Sequence, residues 1–169
     1  GYIYISPDAA GPPKRVKNEG GELEPVTKLD DARGERTHRW PSVLPDGSAV
    51  LFTCDDQSST EYYDDARIEA IRPATGERKV LVEGASQGRY AGGPRLVFAR
   101  GGGLYAVDFD PDALTVHGTP ELVLQGVATD VGSGAVQFAL SSSGAALWAP
   151  GSLSARSTLS WGDRHGTGT

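Results

Sequence analysis

One stretch of the chain, residues 34–53, sets a pattern that the rest repeats. It reads as two short strands joined by the turn Pro45-Asp46-Gly47. Asp-Gly supplies the left-handed backbone of a tight turn, and the proline fixes φ on entry. The run after the turn, residues 48–53, is rich in β-forming residues and has no helical periodicity. The stretch therefore predicts a β-hairpin.

Segments similar to the strand after this turn recur elsewhere in the chain, and each has an aromatic residue near its end. Aligning Tyr4, Phe52, Phe98 and Trp148 gives separations of 48, 46 and 50 residues. Several short strands in each repeat of roughly 40–50 residues are typical of a β-propeller blade. We expect these aromatic residues to pack between successive sheets.

Two further series of strands follow within the units. No segment has the apolar spacing of an amphipathic helix bounded by caps, so almost no helix is predicted. Third strands are predicted at residues 66–71, 103–108 and 157–161, and outer strands at 76–84 and 118–126, with a looser relative at 21–27.

The predicted fold is all-β: a partial β-propeller of about four four-stranded antiparallel blades, of which the first and last are incomplete. The absence of methionine predicts that residue 1 is not a natural start. Closed propellers usually need four to eight blades, and an open arc leaves sheet edges and faces uncovered. We therefore expect either a larger parent chain or a second copy that completes the ring. The units span approximately residues 1–31, 34–84, 87–126 and 131–169.

Composition excludes several classes of protein. A length of 169 residues suits one domain, and no run of 18 apolar residues is present to span a membrane. The net charge of −6 argues against nucleic-acid binding. In addition, the basic residues form no stripe with interleaved aromatics. The single cysteine, Cys54, excludes an internal disulfide framework.

Several motifs resemble a known bacterial repeat family. The segments 39–47 and 65–69 are similar to TolB-like, WD-like β-propeller repeats, especially those that follow serine/threonine protein kinase domains. Shorter matches extend the resemblance over nearly the whole chain. The resemblance implies a propeller with a binding or scaffolding role and favours a periplasmic location, and any kinase activity would lie outside this chain. The shorter matches are residues 88–90, 99–107, 132–138 and 161–164.

A binding surface is predicted at the mouth of the central channel. His38 and Arg39 lie at the start of an innermost strand, and strand ends of this kind line the channel of a propeller. The alternative is that Trp40 packs between blades while Arg39 pairs with a carboxylate such as Glu35. The predicted ligand-binding residues are His38, Arg39, Arg89, Tyr90, Ser133 and Gln137.

Catalytic motifs are weak. Residues 84–88 match the G-x-S-x-G nucleophile elbow around Ser86, but that motif needs a following helix, and residues 89–94 contain two adjacent glycines and a proline. Residues 101–103, three glycines, read as a hairpin turn rather than a phosphate cradle. We therefore predict no catalytic residue.

Metal-binding motifs are also weak. Residues 108–112 alternate three carboxylates without the glycine and glutamate of an EF-hand. The acidic stretch 55–65 would hold a cation only if the loop folded back, and the three histidines lack metal-ligand spacing. No metal and no cofactor are predicted.

The leading functional hypothesis is a non-enzymatic binding or sensor module that recognises a protein, a peptide or a small ligand. A rigid radial scaffold with loops at both ends suits that task. Two alternatives stay open. One is an accessory propeller of a hydrolase or peptidase, and the other is a structural unit that assembles with copies of itself.

Overall fold

A computed structural model describes residues 1–59, 62–141 and 145–151, and strands account for most of them. The first sheet is antiparallel, with three strands in the order β1–β2–β3. Among the described residues, β1 pairs with β2 and with no other strand. The strands are β1 (Tyr2–Ile5), β2 (Lys14–Lys17) and β3 (Glu24–Pro25).

The second and third sheets each contain four antiparallel strands in sequence order. This confirms the all-β class and the four-stranded antiparallel unit, and we call the successive sheets blades. The second blade consists of β4 (Glu35–Val43), β5 (Val50–Asp56), β6 (Arg67–Ile71) and β7 (Arg78–Glu83). The third consists of β8 (Ser86–Tyr90), β9 (Arg95–Arg100), β10 (Gly103–Asp110) and β11 (Thr115–Gln125).

Two short hairpins form the last described part of the chain. β12 (Thr129–Asp130) pairs with β13 (Ala135–Val136), and β14 (Phe138–Leu140) pairs with β15 (Ala146–Trp148). The strand predicted at 157–161 lies outside the described residues. Short 3₁₀ turns occur at Asp31–Arg33 and Gln57–Ser59. No helix in the described ranges has the length and apolar character needed to cross a membrane.

The hairpin predicted around Pro45-Asp46-Gly47 joins β4 to β5. The Gly47 amide donates to the Leu44 carbonyl at 2.8 Å, and Gly47 has a φ of +73°. The Asp46 side chain accepts a hydrogen bond from the Ser48 amide at 3.0 Å. These contacts close the turn through the backbone freedom of glycine and the acceptor of aspartate.

The core is divided among the interfaces between successive blades. One cluster joins Val26 of the first blade to Val50 and Phe52 of the second. A larger one joins the second and third blades and contains Leu51, Ile68 and Phe98 among its thirteen buried residues. The remaining cluster packs Ala99 and Leu104 of the third blade against Val127, Val136 and Phe138.

The aromatic residues do not all occupy equivalent positions. Phe52 faces the first blade and Phe98 faces the second, so each packs toward the preceding sheet. Tyr4 packs against the same cluster as Phe52, so it points toward the following blade. A shift of one residue in a strand moves a side chain to the other face, so the alignment of Tyr4 was wrong. Trp148 is 44% exposed.

Candidate functional site

The innermost strands of the second and third blades contain the same irregularity. β4 and β8 each carry a one-residue β-bulge at an equivalent position in the repeat. In each bulge one residue has a left-handed backbone: Trp40 with a φ of 54° and Gln87 with a φ of 50°. That conformation costs a non-glycine residue roughly 1–2 kcal/mol. Strain repeated at equivalent positions suggests a role for both side chains.

Both side chains bind the β12–β13 hairpin. The indole Nε1 of Trp40 donates to the Ser133 carbonyl at 3.0 Å. The amide Nε2 of Gln87 donates to the Val136 carbonyl at 3.0 Å, and the Val136 amide donates back to Gln87 Oε1 at 2.7 Å. The side-chain amide of Gln87 thus makes the two hydrogen bonds to the Val136 backbone that a neighbouring strand would make. The two bulges anchor this hairpin across the innermost strands.

A cavity of about 320 Å³ lies beside the bulge of β4, and we call it the bulge pocket. Arg39 and Trp40 form one side, and Ser6, Asp8 and Ala9 from the β1–β2 loop form the other. The pocket joins an indole surface, a guanidinium and a carboxylate. Small-molecule and peptide sites combine apolar surface with a few polar groups in this way.

Arg39 is held in place without a carboxylate. Its Nη2 donates to the Ala9 carbonyl at 2.6 Å, and its guanidinium lies 5.8 Å from the centre of the Tyr63 ring. Within the described ranges, no ion pair joins Arg39 to an acidic side chain. The predicted pairing of Arg39 with Glu35 is therefore not formed, and the guanidinium remains able to bind an anion.

His38 does not line the channel mouth, contrary to the sequence prediction. Its side chain is 1% exposed and points into the interface between the first and second blades. Its Nδ1 lies 2.6 Å from Thr27 Oγ1, and its Nε2 lies 3.0 Å from Glu35 Oε2. Alternation along β4 sends His38 into the interface while its neighbour Arg39 faces the pocket.

His38 belongs to a buried network of charges. Glu35 accepts hydrogen bonds from the guanidinium groups of Arg67 and Arg78, and both also bind Glu69. Two carboxylates and two guanidinium groups balance in charge. Buried charges are tolerated when they are paired and hydrogen-bonded in this manner. The arrangement gives the network a structural role in the second blade.

Glu35, His38 and Cys54 place three potential metal ligands within 4.8 Å of one another. The Nη2 atom of Arg78 lies 2.5 Å from Glu35 Oε1, 3.4 Å from His38 Nε2 and 3.6 Å from Cys54 Sγ. A guanidinium therefore contacts all three groups that would face a metal ion. Burial raises the pKa of Cys54, which opposes the thiolate that a metal prefers. The donor set does not fit a metal.

Titration of the network follows from its surroundings. Burial opposes the ionisation of Glu35, but hydrogen bonds from Arg78 and the Asp30 amide outweigh it and lower the pKa of Glu35 to about 2. Burial, assisted by the charge of Arg78, lowers the pKa of His38 to about 4. At neutral pH His38 is uncharged, so Nε2–H donates to Glu35 while Nδ1 accepts from Thr27.

Arg89 and Tyr90 lie on β8, and both are half-buried. Arg89 Nη1 donates to the Pro41 carbonyl at 3.2 Å, next to the bulge of β4, and burial lowers the pKa of Arg89. Tyr90 meets Phe109 edge to face at 6.2 Å and packs against the core between the second and third blades. Neither residue lines the bulge pocket.

Ser133 and Gln137 lie on different surfaces. The Ser133 carbonyl receives the Trp40 indole, while its hydroxyl donates to Asp130 at 2.8 Å. Gln137 is exposed and lines a separate hollow of about 350 Å³ beside β14 and β15. Of the six predicted binding residues, the structure places Arg39 in the bulge pocket and Ser133 next to its Trp40 wall.

The acidic stretch after β5 surrounds a buried carboxyl group. Asp55 is 2% exposed, and burial together with Asp65 and Asp56 raises its pKa to about 6. Arg36 lies 3.7 Å from Asp55 Oδ2. The nearby Asp56 caps its own turn by accepting from the Ser58 amide at 2.9 Å. These contacts hold the start of the acidic loop in place.

The remaining motifs have structural explanations. Ser86 is 6% exposed and begins β8, so the strand–turn–helix geometry of a nucleophile elbow is not formed. Asp110 uses its carboxylate to accept from the Asp112 and Ala113 amides at 2.8 and 2.9 Å, which closes the β10–β11 turn. His165 lies beyond the described residues.

Sequence reasoning missed Gln87 as a partner of the β12–β13 hairpin. Its position corresponds to Trp40 when the strands after the two bulges are aligned. The two side chains share an N–H donor but differ in size and polarity, so residue type alone gave no indication. The dipeptides Trp40-Pro41 and Gln87-Gly88 are the available sign, since proline and glycine both mark interruptions of a strand ladder.

No protein-family model matches the sequence, and a search of curated proteins finds no match. Among solved structures, the chain is similar to the β-propeller protein TolB from Acinetobacter baumannii. The identity is 22%, the TM-score is 0.53, and the match covers 85% of this chain and 32% of that chain. At this identity the likeness shows the fold alone.

A second solved structure is regucalcin, a calcium-binding protein from Agrobacterium tumefaciens. The identity is 16% and the TM-score is 0.48, over 72% of this chain and 43% of that chain. The chain thus spans less than half the length of either protein. The likeness to TolB agrees with the predicted β-propeller fold.

Proposed function

We propose that the chain is a non-catalytic binding module of the TolB-like propeller type. Its ligand is a peptide or protein segment that presents a carboxylate next to an apolar side chain. The observation that carries this proposal is the bulge pocket, in which the guanidinium of Arg39 meets the indole of Trp40. The kinase-linked repeats that the sequence resembles would use such a module to sense or dock a partner.

The chemistry of Arg39 supports an acidic ligand. Arginine presents a planar fork of donors that matches a carboxylate, and such charge-assisted pairs are stronger than neutral hydrogen bonds. The contact to the Ala9 carbonyl at 2.6 Å orients the fork without neutralising it. A ligand carboxylate would complete the coordination of the guanidinium.

Trp40 supplies apolar surface beside Arg39 in the bulge pocket. Tryptophan, tyrosine and arginine are the residues most enriched at binding hot spots. The hydrogen bond from Trp40 to Ser133 fixes the indole, so less conformational freedom is lost on binding. The pocket is therefore preorganised for a small anchor rather than for a large flat surface.

The absence of catalysis is also part of the proposal. Ser86 is buried within a strand, and burial raises the pKa of the Cys54 thiol, so neither supports a nucleophile. The buried network around Glu35 is fully engaged in internal hydrogen bonds. These features favour recognition over turnover.

The test is a titration of ¹⁵N-labelled protein with acetyl-Leu-Glu and with its diamide form, in which both carboxylates are blocked. The expected result is a shift of the Trp40 indole signal with the carboxylate peptide and a much smaller shift with the diamide. Arg39→Gln should abolish the effect, whereas the control Arg95→Gln should retain it, because Arg95 is 3.2 Å from Asp108 on the third blade. Equal responses of the two variants would overturn the proposal.

A further inference from the structure

The bulge pocket contains a carboxylate that a purely acidic ligand would not use. Asp8 lines the pocket together with Arg39 and Trp40. Among residues 1–59, 62–141 and 145–151, no ion pair joins Asp8 to Arg39, although their opposite charges share one cavity. A ligand that carries charges of both signs would therefore find a partner for each of them.

Asp8 has a partner that a ligand can replace. Its Oδ2 atom lies 3.5 Å from Lys14 Nζ on β2, and 64% of the Asp8 side chain is exposed. Ion pairs between exposed side chains contribute little, because water screens the charges and both side chains lose freedom. Asp8 can thus turn to a cationic ligand at a small cost.

The two walls of the pocket are joined by backbone hydrogen bonds. In the β1–β2 loop, the Gly11 amide donates to the Arg36 carbonyl at 3.0 Å, and the His38 amide donates to the Gly11 carbonyl at 2.9 Å. Arg39 Nη2 also donates to the Ala9 carbonyl of the same loop at 2.6 Å. The loop that carries the carboxylate is therefore held against the strand that carries the guanidinium.

The size of the pocket limits the ligand to a short segment. Its volume of about 320 Å³ lies near the lower end of the range for small-molecule sites, which is roughly 300–1,000 Å³. A cation, an apolar group and a carboxylate must then come from one or two peptide residues. A lysine side chain would lose the freedom of its long stem on binding, whereas the α-ammonium group of a peptide is attached directly to the backbone.

We propose that the ligand of the bulge pocket is a free peptide N-terminus with an apolar first residue and an acidic second residue. The α-ammonium group binds Asp8, the apolar side chain packs on Trp40, and the acidic side chain binds Arg39. This inference rests on the proposed function, because it retains the carboxylate site at Arg39 and adds a second anchor. Asp8 is the residue that selects an unblocked terminus.

The test compares H-Leu-Glu-NH₂ with acetyl-Leu-Glu-NH₂ in titrations of ¹⁵N-labelled protein, followed through the Trp40 indole signal. The two peptides have the same side chains and the same blocked C-terminus, so they differ in the α-ammonium group alone. At about pH 6.5 this group is protonated, since an α-amino group ordinarily titrates at about 7.7–8.0. H-Leu-Glu-NH₂ should bind about two- to fivefold more tightly, which is the gain from one exposed ion pair.

Variants then assign this preference to Asp8. Asp8→Asn should make the two dissociation constants equal, while the Trp40 signal still responds to both peptides because Arg39 is intact. Lys14→Gln should enlarge the preference, since it removes the existing partner of Asp8. The control Asp112→Asn, which removes an exposed carboxylate between β10 and β11, should retain the preference. A preference that survives Asp8→Asn, or that Lys14→Gln reduces, would overturn the role of Asp8.

A third peptide, acetyl-Leu-Gln-NH₂, separates this inference from the function on which it rests. It lacks both charges and should bind more weakly than either glutamate peptide. Equal affinity of the two glutamate peptides, with weaker binding of the glutamine peptide, would overturn the N-terminal anchor and leave the carboxylate site in place. A Trp40 signal that responds to neither glutamate peptide would overturn both proposals.

Discussion

The two faces of the second blade are held by different forces. Toward the first blade, a small apolar cluster around Phe52 adjoins the buried network of Glu35, His38, Arg67, Glu69 and Arg78. Toward the third blade, the interface contains thirteen buried apolar residues of the described part of the chain. One sheet thus combines a polar and an apolar interface within a single repeat.

The difference has consequences for stability. Apolar burial is non-directional and independent of pH, at roughly 25 cal/mol per Å² of buried surface. A buried charge network adds directional contacts, but removal of one partner leaves a desolvated charge behind. We therefore expect the first interface to be sensitive to protonation and to single polar substitutions, and the second to respond mainly to lost volume.

The largest effect is expected at the apolar interface. Phe98→Ala should lower the free energy of unfolding by about 3–5 kcal/mol, because it opens a cavity in a fully buried site. The loss should be the same at pH 5 and pH 7 in urea denaturation. Phe98→Leu, which retains most of the volume, should lose much less. A marked pH dependence of the Phe98→Ala effect would erase the contrast between the two interfaces.

A slightly smaller loss is expected at the polar interface. Glu35→Gln removes the charge shared by Arg67 and Arg78 and should cost about 3 kcal/mol, since the remaining charges stay buried. The matched control Glu77→Gln removes an exposed partner of Arg72 and should change stability by less than about 1 kcal/mol. Equal losses of stability for the two variants in urea denaturation would show that burial of the network does not determine the cost of removing a charge.

The hydrogen bonds between Gln87 and Val136 should stabilise the β12–β13 hairpin locally. Gln87→Ala removes two buried hydrogen bonds to Val136 and should lower the protection of the Val136 amide in hydrogen exchange by about 2 kcal/mol. Global stability should change less if the β12–β13 hairpin opens by itself. Gln137→Ala serves as the control, because Gln137 is exposed. Unchanged protection at Val136 would argue against the anchoring role of Gln87.

The smallest effect at neutral pH concerns His38. Its pKa of about 4 in the fold lies below the ordinary 6.5, so the unfolded chain binds the proton more tightly. Asp55, whose pKa is raised to about 6, contributes a falling slope in part of this range, whereas the contribution of His38 to stability should rise with pH between about 4 and 6.5, by at most one proton or about 1.4 kcal/mol per pH unit. His38→Gln should flatten this slope in urea titrations at several pH values. A slope that the substitution leaves unchanged would place the titrating group elsewhere.

The sequence predicted the repeat better than the position of individual side chains. Turn chemistry at Asp46-Gly47 and the strand after it are local properties, and the structure has the hairpin there. The prediction that Tyr4 faces the same way as Phe52 was wrong, because a shift of one residue exchanges the two faces of a strand. Strand identity therefore follows from the sequence more readily than register.

The positions of the site residues were also only partly predicted from the sequence. Arg39 was predicted at a binding surface and lies in the bulge pocket, whereas its neighbour His38 is buried. The network that holds His38 joins residues from β4, β6 and β7, which are up to 43 positions apart. Long-range pairing of this kind has no local pattern, and the same is true of the contact between Gln87 and Val136.

The stacking of successive sheets is tested most directly where the second and third blades touch. In the structure Gly88 of the third blade approaches Ile68 of the second so closely that an added Cβ would lie 2.8 Å from Ile68 Cγ2. A nuclear Overhauser spectrum of methyl-labelled protein should therefore show a strong contact between the Gly88 α-protons and the Ile68 γ2-methyl group. Absence of that contact, with Ile68 seen instead against residues outside the third blade, would contradict the stacked-blade arrangement.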